Sequence, residues 1–298
     1  MIQDIVKSLE PMPPKSKLII FGGGYSGQRI AKAARHLGTE VLCSRRKNNS
    51  KGADFIFNAD NELPNEIFEG VTHILSCIPP LLSGQDPVVS KLKTQLLNSK
   101  SLKWVGYLST TGVYGDAKGE WVNENTTPYP KQERSIRRYS CEKDWSATKL
   151  PIQILRLPGI YGPGRSVFES LLNGTTKMID KPGQVFSRIH VDDIAGAVLF
   201  LINLYSQGKC PSIVNLADNL PTSNLEVNAF AAKIANKSIP ATLPFKIAKK
   251  TMSSMALSFW QENRKVDNTL LCKKLGYSLI YPDYKSGLKN CLSKLNMN

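Results

Sequence analysis

Long apolar runs are absent from this 298-residue sequence. A membrane-spanning helix needs roughly 20 consecutive apolar residues, and the longest candidates, residues 74–82 and 195–204, are short or interrupted. The N-terminus also lacks the basic-then-apolar pattern of a signal peptide. We therefore expect a cytoplasmic protein with no membrane partner, in which both stretches belong to the core.

Cysteines are few and scattered. The chain has six, with no CxxC motif and no spacing typical of metal ligands. Closely spaced, paired cysteines would indicate a disulfide framework or a zinc site. We expect reduced thiols in a cytosolic protein, and no metal site.

Acidic residues are few. The sequence has 24 Asp and Glu residues and 39 Lys and Arg residues, which gives a net charge of +15. The basic residues form only brief clusters, at 45–47 and 249–250, whereas specific nucleic-acid binding requires a recognisable reading element. We expect an anionic small-molecule partner and no specific nucleic acid.

Alternating strands and helices run through most of the chain. Apolar runs predict strands at 17–21, 40–44, 55–57, 71–78, 103–109, 152–157 and 212–216, and helical periodicity predicts helices at 28–37, 87–98, 132–147 and 191–204. This alternation predicts an α/β, Rossmann-type doubly wound parallel sheet. We divide the chain into a polar leader (1–16), a Rossmann domain (17–158 and 183–217) and a small, mostly helical substrate lobe (159–182 and 218–298).

A glycine cluster follows the first strand. Gly22, Gly24 and Gly27 form Gly-x-Gly-x-x-Gly between a strand and a helix, the position of a dinucleotide-binding turn. The glycines permit a tight turn and close approach of a pyrophosphate to the helix N-terminus. We therefore predict that the three glycines, with Tyr25 and Ser26, bind the cofactor.

The end of the second strand selects the form of the cofactor. NAD-binding sites usually carry Asp or Glu there, but this chain has Ser44, Arg45 and Arg46. Arginines suit a 2′-phosphate by charge and by planar stacking. The sequence thus favours NADP, with NAD as the alternative.

Several ordered blocks resemble a known family. "LSTTGVYG" and "ILRLPGIYGPGR" are similar to segments of the extended short-chain dehydrogenase/reductases, the nucleotide-sugar epimerases and dehydratases. Further matching blocks lie at 186–198, 213–227 and 275–288. The glycine spacing differs from the Gly-x-x-Gly-x-x-Gly of standard extended members, so the chain resembles the atypical branch more closely.

The resemblance implies where the reaction takes place. In that family a Ser or Thr after the fifth strand binds the substrate oxygen, which maps to Thr110, with Ser109 and Thr111 beside it. A Tyr-x-x-x-Lys pair follows on the next helix, where Tyr exchanges a proton and Lys binds the nicotinamide ribose. A spacing of four residues places the pair on one helix face.

This pair has two alternative registers in the sequence. Taken literally, "YSCEK" supplies Tyr139 and Lys143 as catalytic residues. If Glu142 is instead the glutamate that commonly follows the family's Lys by four residues, Arg138 occupies the Lys position and Arg134 the Tyr position. Arginines stay protonated and cannot act as a general acid or base, although they can bind phosphate or ribose.

The resemblance implies further contacts. It places Pro79 and Asp60 near the cofactor, with Arg138 binding it in the second register. It also places a group of side chains near the substrate: Tyr114, Tyr161, Arg165, Arg188 and Arg264.

Together these features predict an NAD(P)-dependent epimerase, dehydratase or reductase for a sugar-like or nucleotide-linked substrate, as a monomer or homodimer. The alternative is a non-catalytic NADP-binding sensor or scaffold that has lost the Tyr-Lys pair.

Overall fold

The computed structural model describes residues 2–47, 53–58, 60–208 and 210–295. The strands in these ranges are β1 Lys17–Phe21, β2 Glu40–Arg45, β3 Phe55–Ile56, β4 His73–Ser76, β5 Trp104–Thr110, β6 Trp121–Val122, β7 Ile152–Leu157, β8 Gly159–Tyr161, β9 Ile179–Asp180, β10 Arg188–His190, β11 Ile213–Asn215, β12 Leu243–Pro244 and β13 Lys265–Val266.

The α-helices in the same ranges are α1 Ile2–Val6, α2 Tyr25–His36, α3 Pro87–Asn98, α4 Glu133–Ser146, α5 Val167–Leu172, α6 Val191–Ser206, α7 Asn224–Ile234, α8 Phe245–Ala248, α9 Ser254–Trp260 and α10 Tyr284–Leu295. Single turns of 3₁₀-helix occupy Asn65–Phe68, Thr111–Tyr114 and Lys249–Thr251, and a π-helical turn occupies Leu270–Lys274.

The central sheet of the described chain has seven parallel strands in the order β11-β7-β5-β4-β1-β2-β3. The chain builds outward from β1 through β2 to β3, then returns to β4 on the other side. This reversal places a topological switch point between β1 and β4, where ligands bind at the carboxyl ends of the strands in open α/β sheets. The doubly wound parallel fold is confirmed.

Both faces of the sheet are covered by helices. On one face α1, α2 and α6 pack over Leu18 and Ile20, and on the other α3 and α4 pack over Ile19 and Phe21. Alternate residues of β1 thus enter different cores, which explains why a strand in a doubly wound sheet is apolar throughout.

A smaller helical layer lies beyond the sheet. Helices α5, α7 and α10 share a core that includes Phe168, Val227 and Leu288. Leu271 and Tyr277, which the sequence assigned to this lobe, pack in the core of the central sheet.

The predicted polar leader contains a short helix, α1, that packs on α2 and α6. Its Ile5 is buried in the sheet core, as is Met12. The leader is therefore partly integrated into the fold, a feature that its polar, proline-bearing composition did not indicate.

Among the described helices, none has the length and apolar character that crossing a membrane requires.

Candidate functional site

The glycine turn has the geometry of a dinucleotide cradle. Gly22 has a φ of 93°, a conformation that favours glycine. A Cβ on Gly27 would collide with the carbonyl oxygen of Gly22, so the third glycine allows helix α2 to pack against the turn. A Cβ on Gly24 would meet open space, its nearest neighbour lying 4.0 Å away.

Helix α2 begins directly behind this turn. Its N-cap is Gly24, which provides no side-chain cap, and Tyr25 and Ser26 form its first turn. Open space in front of a helix N-terminus is where anions bind. The hydroxyl of Tyr25 donates to the carbonyl of Pro163 at 3.0 Å, which ties the turn to the loop after β8. The cradle therefore fits the pyrophosphate of a dinucleotide.

Ser44 supports the turn from the end of β2. Its Oγ accepts a hydrogen bond from the Gly22 N–H at 3.0 Å, its carbonyl accepts one from Gly23 at 2.7 Å, and the residue is buried. Because Ser44 Oγ accepts this bond with a lone pair, its hydroxyl can still donate, and its contact with a 2′-phosphate stays a prediction. Arg45 is half-buried and Arg46 is exposed at the same strand end.

A cleft of about 810 Å³ opens at the carboxyl ends of β4, β5 and β7. Its walls are Pro79 and Pro80 after β4, residues 109–112 after β5, residues 157–160 after β7, the start of α4, and the 256–266 segment. A Cβ on Gly22 would lie 3.1 to 3.3 Å from atoms of Cys77 and Ile78, so the turn lies beside the loop that leads into the cleft. Predicted cofactor residue Pro79 lines it.

The cleft is strongly cationic. Its lining contains a single carboxylate among the described residues, that of Glu262, and the following arginines: Arg134, Arg137, Arg138, Arg165, Arg188 and Arg264. Three aromatic side chains, Phe186, Phe259 and Trp260, complete its apolar part. We name this space the arginine cleft. Planar cations beside aromatic rings suit an anionic ligand with a flat group.

Helix α4 presents its arginines to this cleft. Nη1 of Arg138 lies 3.1 Å from each of three oxygens, the carbonyls of Ile78 and Leu108 and the hydroxyl of Tyr107, and so bridges the ends of β4 and β5. The guanidinium of Arg134 stacks 3.7 Å from the centroid of the Phe259 ring. Burial, and then Arg264, lowers the pKa of Arg134, while Glu262 opposes the shift.

The literal Tyr-Lys motif lies outside the lining of the cleft. Tyr139 packs against a cluster that contains Val113 and the cleft residue Val266, and Lys143 is exposed, with its Nζ 5.1 Å from the centroid of the Tyr139 ring. Neither residue lines the arginine cleft. Their prediction as catalytic residues is therefore corrected: the helix turns positions 134 and 138 toward the cleft, one turn apart on one face.

Glu142 anchors that orientation. It is buried, accepts two hydrogen bonds from Arg156 at 3.1 and 2.7 Å, and accepts a third from Ser109 Oγ at 2.5 Å. Burial opposes the charge on Arg156, but the hydrogen bond and the charge of Glu142 outweigh it and raise the pKa of Arg156. Ser109 lines the cleft, but its hydroxyl proton is used in the hydrogen bond to Glu142 and is not available to a ligand.

The predicted hydroxyl cluster lies at the cleft, as Ser109, Thr110 and Thr111 all line it. Thr110 Oγ1 accepts a hydrogen bond from the Gly112 N–H at 3.1 Å and caps the 3₁₀ turn. Because that bond uses a lone pair, the Thr110 hydroxyl can still donate its own proton.

Two predicted substrate residues have structural roles instead. Tyr114 is buried and donates to Asn215 Oδ1 at 2.8 Å. Tyr161 is buried against His190, with its hydroxyl 3.3 Å from the carbonyl oxygen of Asp283. Neither lines the cleft, so their assignment to substrate binding is corrected.

The other predicted substrate residues reach the cleft. Arg165 lies 5.7 Å from the Tyr25 ring centroid, and Arg264 donates to Gly115 O and to Glu262. Arg188 lines the cleft, but its guanidinium donates to three protein oxygens, those of Phe186, Thr222 and Asn224. Two of its five N–H groups therefore remain for a ligand. Asp60 is exposed beyond β3, and its role toward adenine stays a prediction.

Sequence reasoning missed Glu262, Phe259 and Trp260. They reach the cleft on α9 and the segment that follows it, about 120 residues beyond α4 in the chain. The one available signal was the adjacency of Glu262 to Arg264 in "ENRK".

The fold and the site define a Rossmann-type α/β protein with a dinucleotide turn and a cationic cleft beneath a helical lobe. The family model "NAD dependent epimerase/dehydratase family" matches residues 88–217. Over these residues the chain is similar to this family, which agrees with the resemblance seen in the sequence blocks.

Individual relatives are similar over longer parts of the chain. A functionally unknown conserved protein from Silicibacter pomeroyi has a solved structure that is 35% identical, with a TM-score of 0.85, and covers 94% of this chain and 99% of that one. Protein YeeZ of Escherichia coli K12 is 27% identical over 180 residues, 59% of this chain and 58% of YeeZ. The matched region thus spans less than two thirds of that relative.

A human epimerase family protein, SDR39U1 (isoform 2), was solved with NADPH. It is 16% identical, with a TM-score of 0.71, over 93% of this chain and 99% of that one. At this identity the likeness shows the shared fold.

Proposed function

We propose that the protein binds NADP at the glycine turn and uses it in redox chemistry on an anionic, sugar-like or nucleotide-linked substrate. When bound, a nicotinamide dinucleotide supplies a donor or acceptor of hydride. The observation that carries the proposal is the arginine cleft, which lies at the same carboxyl edge of the sheet as the turn.

The cofactor assignment rests on the shape of the turn. Gly22, Gly24 and Gly27 leave room for a pyrophosphate at the N-terminus of α2. Arg45 and Arg46 at the end of β2 supply the positive charge that a 2′-phosphate requires, which favours NADP over NAD.

The substrate assignment rests on the charge of the cleft. Arg134 and Arg165 make ring contacts with Phe259 and Tyr25, an arrangement that leaves the guanidinium edges available for oxyanions. A phosphate or carboxylate on the substrate satisfies these cations, and the aromatic wall accommodates a base or a sugar face.

A direct test measures hydride transfer at 340 nm. Purified protein is mixed with NADP or NADPH and a panel of UDP-glucose, UDP-glucuronic acid and dTDP-glucose, with glucose as the uncharged control. We expect absorbance changes with a charged member and none with glucose. Equal responses to charged and uncharged sugars contradict the substrate class.

A second function has one observation in its favour. The cleft lining contains no Tyr and no Lys among the described residues, so a non-catalytic NADP-binding sensor is the competing proposal. Tight NADP binding without turnover of any panel member, and with a ligand-dependent change in thermal stability, supports the sensor and contradicts the enzyme.

A further inference from the structure

The arginine cleft contains very little that can exchange a proton near neutral pH. Its described lining has no His, Cys, Lys, Tyr or Asp. Arginine remains protonated, and Ser and Thr hydroxyls are poor proton carriers without an adjacent base. The carboxylate of Glu262 is the exception among the lining residues that the structure describes.

Glu262 is buried, and only one of its two carboxylate oxygens has a hydrogen-bond partner in the described structure. Its side chain is 6% exposed, and Oε2 accepts a 2.8 Å hydrogen bond from Arg264 Nη1. Oε1 is buried and has no hydrogen-bond partner in the described structure. A buried carboxylate oxygen without a donor is costly, and either a proton or a ligand hydroxyl would relieve that cost.

Several hydrogen bonds hold the segment that carries Glu262. The Glu262 carbonyl accepts from Gln184 Nε2 at 2.9 Å. The next residue, Asn263, donates its N–H to Asp116 at 2.8 Å and its side-chain amide to Gly183 O at 2.8 Å, and it accepts from Val185. These bonds fix the backbone that carries the carboxylate at the cleft wall.

The charged groups facing Glu262 come from two elements. Arg134 approaches from α4, and Arg264 lies on the same segment as Glu262. Both are cationic, so the carboxylate lies among groups that also attract an anionic substrate.

We propose that Glu262 is the catalytic acid/base of the arginine cleft, an inference that rests on the proposed function. In the oxidative direction the substrate C–H bond breaks and its hydride passes to NADP⁺. The O–H bond of the hydroxyl group on that carbon breaks as the Glu262 carboxylate takes the proton, and a C=O bond forms. The reverse reaction returns the proton from Glu262 and takes its hydride from NADPH.

The assignment explains the arginine at the family's Tyr position. Arg134 cannot carry the proton, but it lies in the lining beside Glu262 and can bind the substrate anion. The proton function is thereby moved from α4 to the neighbouring segment after α9.

The test compares wild type, Glu262→Gln and Glu262→Asp, with Glu133→Gln as the matched control. Glu133 is an exposed glutamate of α4, 87% exposed, outside the cleft lining. Single-turnover hydride transfer with UDP-glucose is followed, and binding of UDP-glucose and of UDP alone is measured by calorimetry.

We expect Glu262→Gln to slow hydride transfer at least 100-fold. It should lower the affinity for UDP-glucose about tenfold. The affinity for UDP, which lacks the glucose hydroxyls, should stay within about twofold of wild type. Glu262→Asp retains the charge and should recover part of the rate, and it keeps the test valid if the Gln variant folds poorly. Glu133→Gln should match wild type.

Two results overturn the assignment alone: a Glu262→Gln rate within about threefold of wild type, or equal weakening of UDP and UDP-glucose. A wild-type protein that binds no panel member overturns the proposed function, and the assignment with it. The two failures are distinguishable because the second appears in the wild type.

Discussion

Ser109 Oγ donates a 2.5 Å hydrogen bond to Glu142 Oε1, a carboxylate whose ion pair with Arg156 is buried on both sides. This relationship joins the wall of the arginine cleft to the interior of the domain. It also fixes which face of α4 lies on the sheet, and therefore which side chains of α4 reach the cleft.

The first prediction concerns this buried pair. Glu142→Ala leaves Arg156 charged and uncompensated in the core, so the free energy of unfolding should fall by about 3–5 kcal/mol. Urea denaturation measures the change. Glu133→Ala removes an exposed partner of Arg137 and should shift stability by about 0.5 kcal/mol or less. Similar losses in both variants would contradict the role of the buried pair.

The glycine turn offers two substitutions with different outcomes. In Gly27→Ala the new methyl collides with the Gly22 carbonyl, so stability and NADP binding should both fall. In Gly24→Ala the methyl enters open space where the pyrophosphate is expected, so the melting temperature should hold while NADP affinity drops. Thermal melts and calorimetry separate the two. Unchanged NADP affinity in Gly24→Ala contradicts the cradle.

Cofactor selectivity is tested at the end of β2. Arg45→Ala and Arg46→Ala each remove a cation that is proposed to bind the 2′-phosphate, so NADP affinity should fall by about tenfold. NAD affinity serves as the internal control and should not change. Equal weakening of the two dinucleotides rejects the 2′-phosphate assignment.

The two registers of α4 make opposite predictions. Tyr139→Phe removes a hydroxyl outside the cleft and should leave NADP affinity and turnover within about twofold, whereas Arg138→Gln should lower NADP affinity about tenfold by loss of a charged hydrogen bond. Fluorescence titration with NADPH and the hydride-transfer assay measure both. A collapse of turnover in Tyr139→Phe restores the literal motif.

The fifth prediction concerns acid stability. His190 is buried, with Oδ2 of Asp192 4.0 Å from its Nδ1, and burial lowers its pKa from 6.5 to about 4. Between pH 6.5 and 4 the unfolded chain binds a proton at this position that the folded chain does not. Stability therefore falls as pH drops through this window, by about 3 kcal/mol in total.

His190→Gln removes this contribution, so its unfolding free energy should decline less steeply than that of wild type between pH 6.5 and 4. A slope remains, because burial also lowers the pKa of His73 to about 4. Denaturant unfolding at half-unit pH steps compares the two proteins. Parallel curves would show that His190 is not the group responsible.

Local patterns predicted most of the fold. Helix α3 and strands β1 and β7 have the predicted bounds, and α4 differs by one residue at each end. These elements have clear apolar periodicity and distinct caps or breakers, such as the Asp86 side chain that accepts from Val88 and Val89 at the start of α3. Such signals act over a few residues and are visible in the sequence.

Only the part of the site that lies in one contiguous motif could be predicted. In the glycine turn the backbone needs a positive φ at Gly22 and has no room for a side chain at Gly27, so glycine is required there. The cleft combines residues of α4, the loop after β8 and the segment after α9, so their proximity depends on packing between distant elements. No local pattern connects Glu262 to Arg134.

The sequence by itself determined the doubly wound sheet, the position of the dinucleotide turn and the basic character of the ligand site, because each follows from local spacing or composition. Only the tertiary structure decided which face of α4 meets the cleft, because that depends on the buried Glu142–Arg156 pair. It also decided that Ser44, Tyr114 and Tyr161 have protein hydrogen-bond partners, and that Glu262 lies beside Arg134 and Arg264.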